Sequence, residues 1–169
     1  IIDYKSSKRN LSLTDIYHGL QIQLLVYLDA ILESNNGLKP AGILYSSIDD
    51  PIAKFDENKE DDEIREEILK KLKMQGLLIK DSNIIKAMDK SLASGERSSS
   101  LIIPATIKND GNLGSNTKGV SAEEFEIIRK YVKETIKDIC EDMLDGNISI
   151  APYKNKDRNS CEFCEYSSV

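Results

Sequence analysis

The apolar residues in the first part of the chain predict a short strand followed by one long helix. Residues 1–5 are typical of a strand that places Asp3 and Lys5 on one face. Ser12-Leu13-Thr14-Asp15 is a helix-start signature. After it, apolar residues recur at the three- and four-residue spacing of a helix, at Ile16, Leu20, Leu24, Tyr27, Leu28, Ile31 and Leu32. This pattern predicts a single helix over 14–35 that packs against the strand.

The middle of the chain predicts a second strand over 41–48 beside the first, with Ile43, Leu44, Tyr45 and Ile48 available to the core. Helical spacing then predicts a helix over 61–74, with acids early and lysines late, and a shorter helix over 83–93. A further strand is predicted over 100–107. We expect these two helices and this strand to form an insertion on the core, spanning about residues 50–107.

The last third predicts a loop and then a long helix. Residues 108–119 are rich in Asn and Gly and lack apolar periodicity, which favours a loop. Ser121-Ala122-Glu123-Glu124 is a capping box. The helix that it starts is expected to run to about Leu144, where Gly146 terminates it, with its isoleucines facing the core. Strands and helices in this order predict an α/β fold, a small mixed sheet flanked by helices.

Composition and charge are those of a globular domain with one acidic segment. The 169 residues are 40% hydrophobic and 31% charged, enough for one core or at most two small ones. No apolar run approaches the length of a membrane span, so we expect a cytoplasmic protein without a membrane partner. Residues 56–67 hold eight acids and two bases, which accounts for the whole net charge of −6.

Two small basic clusters qualify the acidic net charge. One cluster lies beside the first strand, at Lys5, Lys8 and Arg9. The second lies near the end of the chain, at Lys154, Lys156 and Arg158. Both clusters could contact DNA phosphates, or they could be solvated surface, and the sequence leaves both interpretations open.

Asp3 and Lys5 are the first candidates for chemistry. On a strand their side chains share a face, about 7 Å apart along the chain. A carboxylate can hold a divalent cation and a lysine can stabilise phosphate charge, and phosphodiester hydrolysis needs both. Asp-x-Lys alone is expected about once by chance in a chain of this size. Gln23 and Tyr27 share a helix face and could point at this pair, although Tyr27 could equally be a core aromatic and Gln23 a polar flank residue.

The tail carries a second signature, the Cys-x-x-Cys pair Cys161 and Cys164. A zinc site would need two further ligands, and the only histidine, His18, is expected at the surface or partly buried. A disulfide is disfavoured because the chain shows neither a signal peptide nor a secreted cysteine framework. Cys140 falls in the apolar rhythm of the last helix, which favours a small buried hydrophobic residue.

Taken together, these motifs resemble the RecB-type branch of the PD-(D/E)XK nucleases. The resemblance rests on Asp3-Tyr4-Lys5-Ser6 and on Gly19-Leu20-Gln21-Ile22-Gln23-Leu24-Leu25-Val26-Tyr27-Leu28. It is similar in particular to the C-terminal nuclease domains of the B subunits of AddAB-type (RexAB) helicase-nucleases. That similarity extends through Lys39–Tyr45, Lys73–Leu78 and Ile150–Lys154, so that it covers most of the chain.

The resemblance implies a restriction-endonuclease-like core and a Mg²⁺-dependent deoxyribonuclease, an exonuclease, that processes DNA ends in double-strand-break repair by recombination. Asp3 and the carbonyl of Tyr4 would bind Mg²⁺, and Lys5 would steady the attacking water or the phosphate charge. Gln23 and Tyr27 would orient the site or the DNA, which Lys8 and Arg9 could contact. The expected partner is the A subunit of the helicase-nuclease, in a heterodimer.

The family pattern also implies that these 169 residues are a single nuclease-domain fragment of a larger chain. In the family another acidic metal ligand lies upstream in a Gly-Arg-x-Asp-like motif, which is not found here. Cys161 and Cys164, within a tail of residues 146–169, would supply two of the four ligands of a 4Fe-4S cluster. We therefore expect the fragment alone to be inactive and its cluster incomplete.

Two other interpretations remain. A stand-alone RecB-like iron-sulfur nuclease of CRISPR spacer acquisition would share both signatures, although the insertion at about 50–107 fits such compact proteins less well. A degenerate nuclease fold could instead act as a structural or DNA-holding module without catalysis.

Overall fold

The computed structural model describes residues 1–52, 60–155, 158–159, 161 and 164–165. The elements of these residues, in chain order, are β1 (Ile2–Lys5), α1 (Leu13–Tyr17), α2 (Gln23–Ser34), β2 (Gly42–Ser47), α3 (Asp61–Leu72), β3 (Gln75–Ile79), α4 (Ser82–Met88), α5 (Lys90–Ser94), β4 (Gly119–Val120), α6 (Ala122–Leu144), β5 (Lys154–Asn155) and β6 (Arg158–Asn159). The alternation of strands and helices confirms the predicted α/β fold. No helix of this described part is long and apolar enough to cross a membrane.

A mixed four-stranded sheet in the order β1-β2-β3-β4 forms the centre of the fold. β2 lies beside β1, as predicted, and runs parallel to it. β2 is antiparallel to β3, whereas β3 and β4 are parallel. The two-stranded hairpin of β5 and β6 is separate from this sheet. Because of these directions, the ends of β1 and β2 and the starts of β3 and β4 lie at the same end of the sheet.

Each face of the sheet buries its own apolar cluster, because side chains alternate between the faces of a strand. On one face Ile43 and Leu77 pack against Leu24 and Leu25 of α2 and Phe125 of α6. The opposite face packs Leu44 and Leu78 against α4 and α5 and the segment that follows them, through Ile85, Leu92, Ile103 and Ala105. The two clusters fix which way every side chain of β1 and β2 points.

The predicted single helix over 14–35 is wrong, because the structure breaks it into α1 and α2. Ser12 caps α1 by accepting a hydrogen bond from the Asp15 backbone N–H at 3.1 Å, as its signature predicts. Gly19 then adopts a left-handed conformation with φ of 75°, which ends the helix. In the turn, the buried amide of Gln21 donates a hydrogen bond to Asp15 Oδ2 at 3.0 Å. This contact holds α2 as a separate helix.

Three other predictions in the middle of the chain need correction. Residues 100–107 are not a strand, since Thr106 and Ile107 form only isolated bridges. The helix expected over 83–93 is two helices that meet at Asp89, whose side chain caps α5. Ile48 is 69% exposed and lies outside the core. The span 50–107 also contributes β3 to the sheet.

The last third follows the prediction more closely. Residues 108–118 contain no helix or named strand, and Ser121 and Glu124 form the predicted capping box of α6. Gly146 follows the helix with a positive φ. Ile128 and Ile136 pack on the core, whereas Ile127 and Ile139 are exposed. Cys140 is exposed as well, so its predicted burial is wrong.

Candidate active site

The sheet face that carries α2 and α6 is apolar at one end and polar at the other. At the apolar end Ile43, Leu77 and Ile79 pack beneath the two helices. At the other end Asp3, Lys5 and the start of α2 at Gln23 meet. Hydrophobic burial therefore fixes the scaffold, and the polar side chains lie where this packing stops.

Asp3 and Lys5 form a close ion pair on this face. Lys5 Nζ lies 2.6 Å from Asp3 Oδ2, and both side chains are largely buried, with 26% and 19% exposure respectively. Asp3 Oδ2 is fully buried, and the approach of the ammonium lacks the geometry of a hydrogen bond. This oxygen therefore has charge compensation but no hydrogen bond among the described residues, which is costly for a buried carboxylate.

Gln23 and Tyr27 complete a connected set of polar side chains. Lys5 Nζ donates a hydrogen bond to Gln23 Oε1 at 3.3 Å, and Gln23 Nε2 donates to the Tyr27 hydroxyl at 2.8 Å. Because Gln23 and Tyr27 are one turn apart on α2, both face the strand. Tyr27 is 50% exposed, which argues against the alternative of a core aromatic. The structure brings together the four side chains that the sequence predicted to be catalytic, Asp3, Lys5, Gln23 and Tyr27.

Tyr45 and Ser47 are further members of this site that the sequence reasoning did not assign to it. Tyr45 pairs with Asp3 across the parallel strands, and Ser47 pairs with Lys5, so both share the polar face. Lys5 Nζ lies 5.8 Å from the centre of the Tyr45 ring. Burial raises the pKa of the Tyr45 phenol, an effect that Lys5 opposes and Asp3 reinforces. The phenol is therefore held neutral beneath the ion pair.

Ser47 presents the second unsatisfied buried atom of the site. Its Oγ is buried and has no hydrogen-bond partner in the described part of the chain. Only the register of β1 against β2 places it beside Lys5, so no local motif in the sequence could have identified it. A buried hydroxyl of this kind can hydrogen-bond a group that enters the site.

The residues present fit part of a divalent metal site. Mg²⁺ takes oxygen ligands, commonly one or two carboxylates, and Asp3 offers a buried oxygen without a hydrogen bond. The Ile1 carbonyl accepts a hydrogen bond from Leu44 of β2, and the Lys5 carbonyl accepts one from Ile48, which follows β2. The alternate carbonyl of Tyr4 therefore points to the open edge of β1. Within the described ranges, no group of three or more His, Cys, Asp or Glu side chains could hold a metal. The candidate donors on β1 are therefore one carboxylate and one carbonyl.

The remaining candidates lie at the rim of the site or in the tail. Lys8 and Arg9 are exposed and line an open depression together with Asn10 and Gln21. In the tail, the Cys164 N–H donates to the Cys161 carbonyl at 3.2 Å, and the two cysteines are not in a disulfide.

The last candidates from the sequence are His18 and the basic cluster near the end of the chain. His18 is exposed, and its ring lies 4.5 Å from that of Tyr153. Lys154 is exposed on β5. The side chain of Arg158 and all of Lys156 lie outside what the structure describes.

Comparison with known proteins identifies the family of this chain. A family model of the PD-(D/E)XK nuclease superfamily matches residues 1–169. The chain belongs to the PD-(D/E)XK nuclease superfamily. Within this family, the ion-paired Asp3 and Lys5 remain candidates for the Asp-x-Lys element of the nuclease site.

Relatives within this superfamily are similar along the whole chain. The chain is 58% identical to the B subunit of the ATP-dependent helicase/deoxyribonuclease of Clostridioides difficile and 53% identical to that of a Thermoanaerobacter species. The same subunit of Acetivibrio thermocellus is 45% identical. In each case all of this chain is covered, and it spans 15% of the relative's length.

Proposed function

We propose that this chain forms part of a nuclease domain that hydrolyses DNA phosphodiester bonds, within the B subunit of an ATP-dependent helicase-nuclease that processes DNA ends for recombinational repair. The single observation that supports it most directly is the connected set from Asp3 through Lys5 and Gln23 to Tyr27. The names of the similar helicase/deoxyribonuclease subunits favour this assignment over a stand-alone CRISPR-associated nuclease.

The proposal gives each residue a role that its position supports. Asp3 and the Tyr4 carbonyl would hold Mg²⁺, with at least one acidic ligand from a part of the protein outside these 169 residues. A bound divalent cation would supply Lewis-acid polarisation of the phosphate and a lower pKa for the attacking water. Lys5 would then leave Asp3 and stabilise the negative charge that develops on the phosphate.

Gln23 and Tyr27 would act as positioning residues. Gln23 holds the lysine ammonium through its carbonyl oxygen while its amide is fixed by the Tyr27 hydroxyl. A lysine held at the correct place loses less entropy when the transition state forms, which is how orientation contributes to rate. Lys8 and Arg9, which are exposed beside the site, would contact the DNA backbone.

Further parts of the protein would complete the iron-sulfur site and the helicase. Cys161 and Cys164 would ligate a 4Fe-4S cluster with two cysteines that lie elsewhere in the protein. The A subunit of the helicase-nuclease would be the partner in a heterodimer, and ATP-driven unwinding would belong to regions outside this chain.

The proposal is tested with Asp3→Asn in the full-length protein that contains this chain, assayed for Mg²⁺-dependent cleavage of single-stranded DNA. The matched control is Asp142→Asn, because Asp142 is an exposed carboxylate on α6. We expect Asp3→Asn to abolish cleavage and Asp142→Asn to retain it. Full cleavage by Asp3→Asn would overturn the proposal and favour the non-catalytic module.

The cluster assignment is tested separately by visible absorption. We expect Cys161→Ser to remove the iron-sulfur absorption of the full-length protein. Cys140→Ser, which changes an exposed cysteine on α6, is expected to retain it. Absorption that survives Cys161→Ser at full intensity would contradict the assignment.

A further inference from the structure

The polar end of the sheet face continues beyond the nuclease residues. Asp3 pairs with Tyr45 across β1 and β2, and Tyr45 pairs in turn with Gln75 across β2 and β3. Paired residues on neighbouring strands share a face, so Asp3, Tyr45 and Gln75 form one cross-strand row. Strands lie about 4.8 Å apart, which places Gln75 about 10 Å from Asp3.

Gln75 anchors a lysine at the far end of this row. Lys118 Nζ donates a hydrogen bond to Gln75 Oε1 at 2.9 Å, across 43 residues of sequence. Lys118 immediately precedes β4, and its side chain is exposed. Gln75 Nε2 is itself fixed by a hydrogen bond to the Lys73 carbonyl at 3.1 Å. The Lys118 ammonium is therefore held by the neutral amide of Gln75 and not by a carboxylate.

The charge around Lys118 favours an anion. Among the described residues, neither Lys118 nor Lys73 has a carboxylate within ion-pair distance. Burial lowers the pKa of the Lys73 ammonium, repulsion from Lys118 lowers it further, and Asp89 opposes both effects. Two ammonium groups that repel each other, neither of them in a close ion pair, are stabilised when a phosphate binds beside them. This local excess of positive charge occurs in a chain with a net charge of −6.

We propose that Lys118, held by Gln75, binds the backbone phosphate of a nucleotide beside the one being cleaved, so that single-stranded DNA crosses the polar end of the sheet from β1 to β4. This inference rests on the proposed nuclease function, because it takes Asp3 as the position of the cleaved bond. The row from Asp3 through Tyr45 to Gln75 marks the path that the DNA strand would follow across the sheet. The contact is to phosphate, so it is independent of base sequence.

The test is the salt dependence of DNA binding by the full-length protein, with a fluorescent oligothymidylate and Ca²⁺ in place of Mg²⁺. Each phosphate contact to a single strand contributes about 0.7 to the slope of log K against log salt. We expect Lys118→Ala to reduce this slope by about 0.7 and to weaken binding about two- to fivefold. Lys118→Arg should restore both values, because it restores the charge.

Lys90→Ala is the matched control, since Lys90 is an exposed lysine on α5, which packs on the opposite face of the sheet. We expect it to leave the slope unchanged. Thymidine dinucleotide provides a second probe: it is too short to reach Lys118 from the cleavage site, so its affinity should not respond to Lys118→Ala. A response of the dinucleotide would indicate a site for free nucleotide phosphate and would overturn the proposed path.

The inference is also overturned if Lys118→Ala and Lys90→Ala change the slope equally, or if neither changes it. These outcomes are distinct from failure of the proposed function, which is measured by cleavage and not by binding. A full effect of Lys118→Ala on DNA binding together with cleavage by Asp3→Asn would support the phosphate contact and reject the catalytic assignment. Equal thermal stability of the variants excludes misfolding as the cause.

Discussion

The hydrogen bond between Gln23 and Tyr27 gives a quantitative prediction, because it is the last link in the set that holds Lys5. Tyr27→Phe removes only the hydroxyl that accepts from Gln23 Nε2 at 2.8 Å and leaves the ring in place. A hydrogen bond of this kind contributes about 0.5–1.5 kcal/mol. If it orients Gln23 in the transition state, cleavage of single-stranded DNA should slow about two- to tenfold.

Gln23→Ala should have a larger effect, because it also removes the acceptor that Lys5 uses at 3.3 Å. Loss of both bonds at this partly exposed position is expected to cost about 2 kcal/mol, or about thirtyfold in rate. In the Gln23→Ala background, Tyr27→Phe should then cause no further loss, since the hydroxyl acts only through Gln23. This non-additivity is the result that the connected geometry requires.

The assay is initial-rate cleavage by the full-length protein at saturating Mg²⁺ and DNA. Tyr131→Phe is the control, because its hydroxyl donates a hydrogen bond at 2.7 Å to a backbone carbonyl, that of Tyr17, and Gln23 is not involved. It should cleave at the original rate. An equal slowing by Tyr27→Phe with and without Gln23 would refute the reasoning, and would mean that Tyr27 contacts DNA directly.

Three stability predictions follow from other contacts, each checked by thermal or denaturant unfolding at several pH values. Gly76→Ala should prevent β2 and β3 from pairing normally, because a Cβ there would lie 2.1 Å from a backbone oxygen of β2, so unchanged stability would contradict this register. Ser47→Ala should leave stability unchanged or slightly higher, because the buried hydroxyl makes no hydrogen bond in the described structure; a loss above about 1 kcal/mol would show that a partner exists. Burial tends to raise the pKa of Asp89, but hydrogen bonds from Ser100 and Ser91 outweigh it and hold the pKa below the ordinary value of 3.8. Asp89 should therefore stabilise the fold above pH 3.8 and lose this contribution as the pH falls through its lower pKa in the folded state. Asp89→Asn should accordingly be destabilising at neutral pH and much less so in acid. A stability difference that persists unchanged in acid would contradict this prediction.

Local sequence signals predicted the elements whose determinants are themselves local. Ser12 and Ser121 cap the helices that their signatures indicate, and Asp3 and Lys5 share a strand face because alternation is a property of any strand. Gln23 and Tyr27 meet because they are one turn apart. These signals were sufficient to predict that the four candidate side chains lie close together.

The errors lie where distant parts of the chain decide the structure. β3 is a five-residue segment that follows a helix directly, and only its pairing with β2 and β4 makes it a strand. Gly19 interrupts an otherwise continuous helical pattern, and the buried contact of Gln21 with Asp15 stabilises that break. Cys140 follows the apolar period of α6, yet it is exposed, because none of the described elements packs over this part of the helix. Ser47 joins the site through strand register alone.

The position of β1 at the edge of the sheet has a practical consequence for handling this segment. On its outer side no described strand pairs with it, so the alternate N–H and C=O groups of its backbone face outward. An unpaired strand edge is a template for another chain, and proteins that expose one tend to aggregate. Purification of these 169 residues by themselves should therefore yield concentration-dependent self-association, and a charged substitution at Ile2, which is 47% exposed, is the simplest way to suppress it.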